Sequence, residues 1–492
     1  MIAGKVSARC TSGALALLLS SCTVGPNFVR PTAPEVTRYT QTPLSPTAST
    51  AAVAGGESQR FIDSQSIPAS WWELFDSPGL NALVERALTA NPDLKAAEAA
   101  LTVAHENTLA QRGARFPTVS ASLAASRSKT SAQLSPTPSS GALLFNLFAP
   151  EVSVSFLPDV FGLNRRLVES LAAAEEQTHF ELTAAYVALT TNVVVAAIQE
   201  AGLREQIRTT RELIAAEEKS LQVLREQSSR GYASRLDVAA QEAQVAAATA
   251  TLPPLLKQLA QQRDLLAALA GILPSEPLPE EFELAQLRLP QELPLSVPSR
   301  LIEQRPDVRQ AEENLHIASA QIGVAVANRL PTFTITGDLG ASALTLSGLT
   351  SSDAGFWDLG GQVTQPIFQG VTLMHQERAA RAAYREAKEQ YRSAVIAAFQ
   401  NVADTLAALE HDAEALRASA ASTGAAKMTL DVVHAQQRAG YASCLQLLSA
   451  EQAYQTAVTG QVQAQVSRFA DTAALFQALG GGWWNRPDLA KE

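Results

Sequence analysis

The residues with the most specific chemistry in this chain lie near its start, in the sequence Leu19-Ser20-Ser21-Cys22. Small residues before a cysteine let a signal peptidase approach, and the cysteine thiol is then acylated as the first residue of the mature chain. The apolar segment before this cysteine is too short to cross a bilayer as a helix. The pattern predicts a lipoprotein signal over residues 1–21 and a covalent lipid on Cys22. The alternative is a plain secretory signal with an incidental cysteine.

The other polar residues of the sequence form no recognisable catalytic or metal-binding motif. The six histidines are dispersed, no two of them stand four residues apart, and the spacings of zinc sites are absent. Phosphate-binding loops and nucleophile motifs are also absent. We therefore expect no enzyme activity and, apart from the lipid, no cofactor or metal. We interpret the following acidic groups as solvated helix faces: Glu175-Glu176, Glu217-Glu218, Glu312-Glu313, and Asp412 with Glu414 beside His411.

Charge and cysteine content narrow the possible partners and the source of stability. The formal net charge is −10, and it becomes −12 once Lys5 and Arg9 leave with the signal. An acidic surface argues against nucleic acid as a partner. Cys10 would also leave with the signal and Cys22 would be acylated, so that Cys444 remains alone. The mature chain would then hold no intrachain disulfide, and packing must stabilise it.

A large part of the sequence occurs twice in the chain. Pro92-Asp93 returns as Pro306-Asp307 at an offset of 214 residues, and seven further identical pairs follow at that offset. The sequence Gly-Tyr-Ala-Ser at 231–234 returns at 440–443, at an offset of 209. These matches indicate a tandem duplication of about 210 residues, which is far longer than the roughly 20–50 residues of a solenoid repeat. We expect two equivalent halves of one architecture.

Each half begins with a helix and continues into a β-hairpin. Apolar and polar residues alternate over 119–126 and again over 332–339, which is the period of a strand with one apolar face. Second strands are predicted over roughly 151–161 and 356–368, so we expect four strands. Strands of about ten residues with one apolar face suit a membrane β-barrel, yet about eight strands are the minimum for closure. Other copies of the chain would have to complete the barrel; the alternative is a soluble sheet packed on helices.

A very long helix follows each hairpin, over roughly 164–229 and 372–438. Apolar residues recur at spacings of four and three, as in a coiled coil, although an ordinary soluble bundle has the same pattern. Glycines that can adopt a left-handed cap end both helices, and serines can cap the helices that return. No uninterrupted run of 18 apolar residues follows residue 22, so we expect no helical membrane span.

The predicted organisation has six parts. Residues 1–21 are the signal, 22–70 a Pro-, Thr- and Ser-rich tether with little regular structure, and 71–272 the first repeat. A segment with six prolines, 273–298, links it to the second repeat at 299–480, and 481–492 is the tail.

Several ordered motifs resemble those of the outer-membrane factor family, the TolC-type channels, and within it the lipoprotein branch of efflux systems. The resemblance covers essentially the whole mature chain. Its motifs are Cys22-Thr23-Val24-Gly25-Pro26-Asn27-Phe28, Trp71-Trp72-Glu73-Leu74-Phe75-Asp76, Leu252-Pro253-Pro254-Leu255, Arg305-Pro306-Asp307-Val308, Gln365-Pro366-Ile367-Phe368 and Ala478-Leu479-Gly480-Gly481-Gly482-Trp483.

The resemblance implies a mainly α fold with a membrane β-barrel. Three chains would give a 12-stranded barrel continued by a helical periplasmic cylinder, in the outer membrane of a Gram-negative bacterium. It implies a periplasmic adaptor and an inner-membrane pump, commonly of the resistance-nodulation-division type, as partners. The adaptor would dock on the turns between the long helices and the returning helices. The matching residues are Gly231, Tyr232, Ala233, Ser234, Leu236, Gly440, Tyr441, Ala442, Ser443 and Leu445.

The resemblance also directs attention to a constriction at the periplasmic tip. TolC-type channels often narrow there through acidic residues, whereas the stretch Leu445-Gln446-Leu447-Leu448-Ser449 carries no carboxylate. Asp237 is the acidic residue at the equivalent turn of the first half. The candidate constriction residues are therefore Asp237, Gln446, Leu448 and Ser449, and an apolar constriction would replace an acidic one.

The function expected from these patterns is passive export of small molecules, such as drugs or toxic compounds, through a trimeric duct. A structural coiled-coil lipoprotein or adhesin is the alternative, but a mere spacer has no need of four amphipathic strands. A periplasmic enzyme is disfavoured because no active site is recognisable. Aromatic compounds, metals and lipids remain possible substrates.

The lipid on Cys22 can be tested directly by the intact mass of the denatured chain extracted from membranes. We expect a chain that starts at Cys22 and carries three acyl groups, and a Cys22→Ser variant without added mass. An unlipidated wild-type chain that starts at another residue would exclude the lipoprotein signal.

Overall fold

The computed structural model describes residues 23–50, 53–131, 144–487 and 489. Within these residues the chain forms eight α-helices and six strands. The helices are α1 (Pro78–Ala90), α2 (Pro92–Gly113), α3 (Leu163–Ser229), α4 (Arg235–Leu269), α5 (Pro298–Gln304), α6 (Pro306–Ala327), α7 (Thr372–Arg438) and α8 (Cys444–Ala478). The strands are β1 (Arg60–Asp63), β2 (Thr118–Lys129), β3 (Leu144–Phe156), β4 (Glu292–Leu295), β5 (Thr332–Ala341) and β6 (Gly355–Thr364).

The chain divides into two compact units, and the four-stranded sheet belongs to the first, whose described residues are 23–31, 101–131, 144–178 and 311–391. The strand order is β2-β3-β5-β6, and all three pairings are antiparallel. The two hairpins are therefore one from each half, and β3 pairs with β5 to join them. Both hairpins predicted from the period-two patterns are confirmed.

The prediction for β3 was wrong at both ends. The strand was expected over roughly 151–161, but it starts at Leu144 and ends at Phe156. Its first residues pair with the end of β2, where Lys129 lies opposite Leu144. Pro158 follows the last residue closely, and a proline has no N–H to donate to a ladder.

In the same unit, the first described residues lie against α3 and α6. The guanidinium of Arg166, which is buried, donates hydrogen bonds to the carbonyl oxygens of Val24 (2.9 Å) and Gly25 (3.1 Å) and to Asn27 Oδ1 (3.0 Å). A Cβ added to Gly25 would stand 2.4 Å from the Cα of Gly323, so the two backbones pack in direct contact. This part of the tether is extended, as predicted, but buried contacts fix its path.

The second unit comprises residues 32–50, 53–100, 179–310, 392–487 and 489 of the described chain. The duplicated motif has the same task in both halves. Asn91 Nδ2 donates a hydrogen bond to the carbonyl oxygen of Leu269, at the end of α4, and Arg305 Nη1 donates one to that of Ala478, at the end of α8. Each motif thus satisfies a carbonyl group that the end of a helix leaves unpaired. Asn91 also caps α2, because its Oδ1 accepts hydrogen bonds from Asp93 N and Leu94 N.

Aromatic side chains form the core of this unit. Trp71 is fully buried and stacks on Phe476 of α8, with ring centroids 4.9 Å apart. Phe75 approaches Phe469 of the same helix, with centroids 6.4 Å apart. The Trp-Trp motif therefore anchors a short 3-10 helix, Trp71–Phe75, against α8.

The tether and the linker are more regular than the sequence indicates. Strand β1 lies in the tether and β4 in the linker, and they pair in parallel from Arg60 opposite Glu292 to Asp63 opposite Leu295. The expectation of four strands was therefore wrong, since the described residues contain six. Each of these segments is four residues long, too short to show a strand period.

The long helices agree closely with the prediction, since α3 and α7 each contain 67 residues and begin and end within one residue of the expected positions. Although the sequence contains no uninterrupted apolar run of 18 residues after residue 22, α3 is long and apolar enough to cross a membrane. However, 67% of the 18-residue segment that meets this criterion is buried inside the protein. Core helices of soluble proteins have the same property, so the helix is only weak evidence for a membrane span.

The role of the aromatic core can be tested with Trp71→Ala. Loss of a buried aromatic side chain costs about 3–5 kcal/mol, so we expect a clearly lower thermal midpoint of the purified protein. Leu74→Ala, in the same short helix but partly exposed, is the matched control and should change the midpoint little. Equal effects of both substitutions would contradict the assignment of this core.

Candidate functional site

Two equivalent turns connect the long helices to the returning helices, and the structure gives them nearly the same geometry. Gly231 and Gly440 have φ angles of +80° and +81°, so both occupy the left-handed region. Tyr232 N donates to the carbonyl of Gln227 and Tyr441 N to that of Gln436, each at 2.8 Å. These bonds close the ends of α3 and α7 in the manner of a Schellman motif. The glycine caps predicted from the sequence are confirmed.

The returning helices begin with matching capping boxes. Ser234 Oγ accepts a hydrogen bond from Asp237 N at 3.1 Å, and the Asp237 carboxylate accepts one from Ser234 N at 3.1 Å. Ser443 Oγ accepts from Gln446 N at 3.3 Å, and Gln446 Oε1 accepts from Ser443 N at 2.8 Å. Both serine caps are therefore confirmed. Asp237 and Gln446, selected as candidate constriction residues, also hold the first turns of α4 and α8 in place.

The turns present apolar side chains to solvent. Tyr232 and Tyr441 are 83% and 86% exposed, and Leu236 and Leu445 are 78% and 76% exposed. Ala233 and Ala442 are half-buried beside them. Large exposed apolar residues that cluster on a surface mark a site for a partner. The structure thus presents a matched pair of apolar surfaces at residues that the sequence predicted to dock a partner; the docking role itself stays a prediction.

The other two candidate constriction residues lie on the first turns of α8. Leu448 is half-buried and Ser449 is exposed. The neighbouring Leu447 is fully buried and packs with Leu430 and Ala450, so it contributes to the helix contact and not to an opening. An apolar constriction at Leu448 stays a prediction. Cys22, the predicted lipidation site, lies outside the described residues.

Several acidic residues expected on solvated faces are buried, and here the sequence interpretation was wrong. Glu217 is fully buried, and Glu312 and Glu313 are 2% and 8% exposed. Two of these three carboxylates have charged or titratable partners: Arg30 Nε lies 2.8 Å from Glu312, and His316 Nδ1 lies 3.2 Å from Glu313. Such partners lower the free-energy cost of burying a carboxylate, and a pair of adjacent glutamates in the sequence does not by itself reveal them.

Asp412 also departs from its predicted solvated position. Burial, together with the nearby Asp471 carboxyl group, raises the pKa of Asp412 to about 7. Its Oδ2 atom is buried and has no hydrogen-bond partner among the described residues. The sequence could not reveal this environment, because Asp471 lies on α8 and Asp412 on α7.

Comparison with known proteins identifies the architecture. The family model of the outer membrane efflux proteins matches residues 83–272 and 297–481, which is most of the chain. Among curated relatives, the pyoverdine export outer membrane protein OpmQ of Pseudomonas putida is 29% identical, with 90% of this chain and 94% of OpmQ covered. The antibiotic efflux pump outer membrane protein ArpC of Pseudomonas putida is 27% identical, with 97% and 96% covered.

A solved structure with the same fold is that of the outer-membrane channel OprN. It is 27% identical, and the comparison covers 94% of this chain and 100% of OprN with a TM-score of 0.82. The fold class predicted from the sequence, mainly α with a membrane β-barrel, is confirmed.

The turns can be tested with a Gly231→Val, Gly440→Val double variant. A β-branched residue at these φ angles costs about 1–3 kcal/mol of local strain at each turn, and no neighbour within 4 Å of either added Cβ would cause a further clash. We expect oligomers that assemble normally but fail to restore export in a deletion strain. Gly424→Val, at an open position within α7, is the control and should restore export. Full restoration by the double variant would exclude a role of these turns in docking.

Proposed function

We propose that three copies of this chain assemble into one passive duct. The premise is that the chain belongs to the outer membrane efflux protein family and is the outer-membrane channel component of an efflux system. The family is one of transport proteins, and the chain is located in the outer membrane. In the proposed duct each copy contributes four strands to a 12-stranded barrel.

The observation that carries the proposal is the uncovered apolar face of the four-stranded sheet. Along β2, Val119 and Leu123 are 69% and 72% exposed. Along β6, Trp357, Leu359 and Val363 are likewise exposed and alternate with polar or small residues. In water such an apolar face would have to be buried. In a membrane barrel, by contrast, each strand has one apolar side that faces lipid. The sheet therefore has the surface of a barrel wall.

The edges of the sheet indicate that one copy is not enough. Strands β2 and β6 each have a neighbour on one side only within the described chain. In a membrane every backbone N–H and C=O group must be hydrogen-bonded, so an open edge cannot face lipid. Pairing β2 of one copy with β6 of the next satisfies both edges, and three copies give 12 strands, which is enough for a barrel with an open interior.

The partners of the duct are proposed from the tip turns. The exposed tyrosines and leucines of both turns form two nearly equal apolar surfaces in each chain, six in a trimer. A periplasmic adaptor protein with a repeated apolar tip would fit such a surface, and an inner-membrane pump of the resistance-nodulation-division type would supply the energy. The described residues contain no group of three or more His, Cys, Asp or Glu side chains that could hold a metal.

The cargo is proposed only as a class, namely small molecules that include toxic compounds. Relatives of similar sequence are named for different cargos, pyoverdine for OpmQ and antibiotics for ArpC. Such variety is expected of a water-filled duct whose pump selects the substrate. We further propose that a lipid on Cys22 anchors each chain, next to the segment that Arg166 holds through Val24 and Gly25.

The lipid-facing assignment can be tested by placing the same charge on two adjacent residues of β6. Leu359→Arg puts a cation on the apolar face, where it costs about 2–4 kcal/mol at mid-membrane, so we expect little assembled protein in the outer membrane. Asp358→Arg puts the cation on the opposite face. This variant should assemble, and in planar bilayers it should shift the conductance toward anions. Normal assembly of Leu359→Arg, or zero conductance of every assembled form including variants opened at the tip, would contradict the duct.

A further inference from the structure

The internal duplication offers a comparison between two ion pairs at equivalent positions. At the offset of 209 residues, Arg225 and Glu242 of the first repeat correspond to His434 and Glu451 of the second. In both repeats the basic residue lies near the end of the long helix and the acidic residue lies on the returning helix. Only in the second repeat is the basic residue one that titrates near neutral pH.

The first pair is an ordinary surface ion pair. Arg225 Nη2 lies 2.6 Å from Glu242 Oε1, and both side chains are about half exposed. An arginine is charged at every relevant pH. Water screens the pair, so its contribution to stability is small.

In the second pair the carboxylate is buried, the imidazole is half-buried and the contact is incomplete. The Glu451 side chain is only 1% exposed, and His434 Nε2 lies 4.0 Å from its Oε1, beyond hydrogen-bond distance. Neither carboxylate oxygen of Glu451 has a hydrogen-bond partner among the described residues. The free-energy cost of burying a carboxyl group without partners is high when the group is ionised and much lower when it is protonated.

A second acidic residue and two amides face the same position from other helices. Glu217 of α3 is fully buried, and its Oε1 accepts only a long hydrogen bond, 3.4 Å, from Gln244 of α4. Gln241 of α4 is also buried, and its Nε2 has no partner in the described chain. On α7, Asp431 and Arg438 are the charged groups that act on His434. Two carboxyl groups therefore share this buried position with one imidazole.

The energetics favour a bound proton. Burial raises the pKa of Glu451 to about 7, and the charge of Glu217 raises it as well; the nearby Gln241 amide, which does not reach hydrogen-bond geometry with the carboxylate, lowers it. Burial also raises the pKa of Glu217, against the effect of Gln244. Burial and the nearby Arg438 lower the pKa of His434, so its imidazole is preferentially neutral.

We propose that Glu217, Glu451 and His434 form a proton-dependent contact that holds the beginning of α8 against α3 and α7 and releases it as the pH rises. The contact lies beside the apolar cluster of Leu430, Leu447 and Ala450, which joins α7 to α8 just behind the tip turn. The proposal rests on the proposed function for its meaning, because α8 carries the candidate constriction. Its test measures the helix contact alone and needs no conduction.

The direction of the pH effect follows from the shifts. Because the pKa values of both carboxyl groups are raised when α8 is packed, the packed state binds more protons than the released state. The packed state is therefore favoured below the ordinary carboxyl pKa and loses its advantage as the pH rises through about 7. His434 acts in the opposite sense, since its lowered pKa favours release only as the pH falls. From pH 6 to pH 8, Glu451 alone weakens the packing about tenfold, and His434 offsets part of this change.

The experiment is amide hydrogen exchange of the full-length oligomer in detergent at pH 6 and pH 8, with rates corrected for the intrinsic effect of pH. The segment 444–455 of α8 is compared with the equivalent segment 235–246 of α4 in the same molecule. We expect the α8 segment to lose protection severalfold between pH 6 and pH 8, while the α4 segment keeps its protection. Equal behaviour of both segments would overturn the proposal.

Three variants assign the effect to the named groups. Glu451→Gln, which is permanently neutral, should remove most of the pH dependence, whereas Glu242→Gln in the first repeat should leave it unchanged. His434→Arg reproduces the pair of the first repeat and should keep the α8 segment protected at pH 8, even if Glu451→Gln fails to assemble. A pH dependence that persists in His434→Arg, or that Glu242→Gln removes as fully as Glu451→Gln, would contradict the assignment.

Discussion

The structure depends above all on a constraint of the lipid bilayer, which offers no hydrogen bonds to backbone groups. The four strands of one chain expose an apolar face and leave an unpaired edge on β2 and on β6. Neither feature is stable in water or in lipid for a single copy. The sheet therefore requires assembly with other copies. Each half of the duplicated sequence contributes one hairpin to it.

The same duplication organises the helical part. In each half, the residue before the repeated proline, Asn91 or Arg305, donates a hydrogen bond to the carbonyl oxygen at the end of the returning helix. In each half, a glycine in the left-handed region and a serine cap turn the chain around. The halves differ in individual contacts: the Arg225–Glu242 pair is exposed, whereas in the His434–Glu451 pair the carboxylate is buried. Duplication thus fixed the scaffold and left individual contacts free to acquire separate roles.

Features with a local cause could be predicted from the sequence. The long helices, the glycine turns and the capping serines follow from periodicity and from the conformations that single residues prefer. Features with a distant cause could not. Strands β1 and β4 stabilise each other although their first paired residues, Arg60 and Glu292, lie 232 positions apart in the sequence. Glu217 was expected on a solvated face because it forms a pair of acidic residues with Glu218, yet packing against other helices buries it completely. The function could also be predicted from the sequence, because its motifs extend over the whole chain.

The central claim, closure of the barrel by several copies, is tested most directly by native mass spectrometry of the membrane-extracted protein in mild detergent. We expect a complex of three chains that survives gentle activation in the gas phase. A stable, folded monomer under the same conditions would contradict it, because four strands with two open edges cannot close a barrel alone.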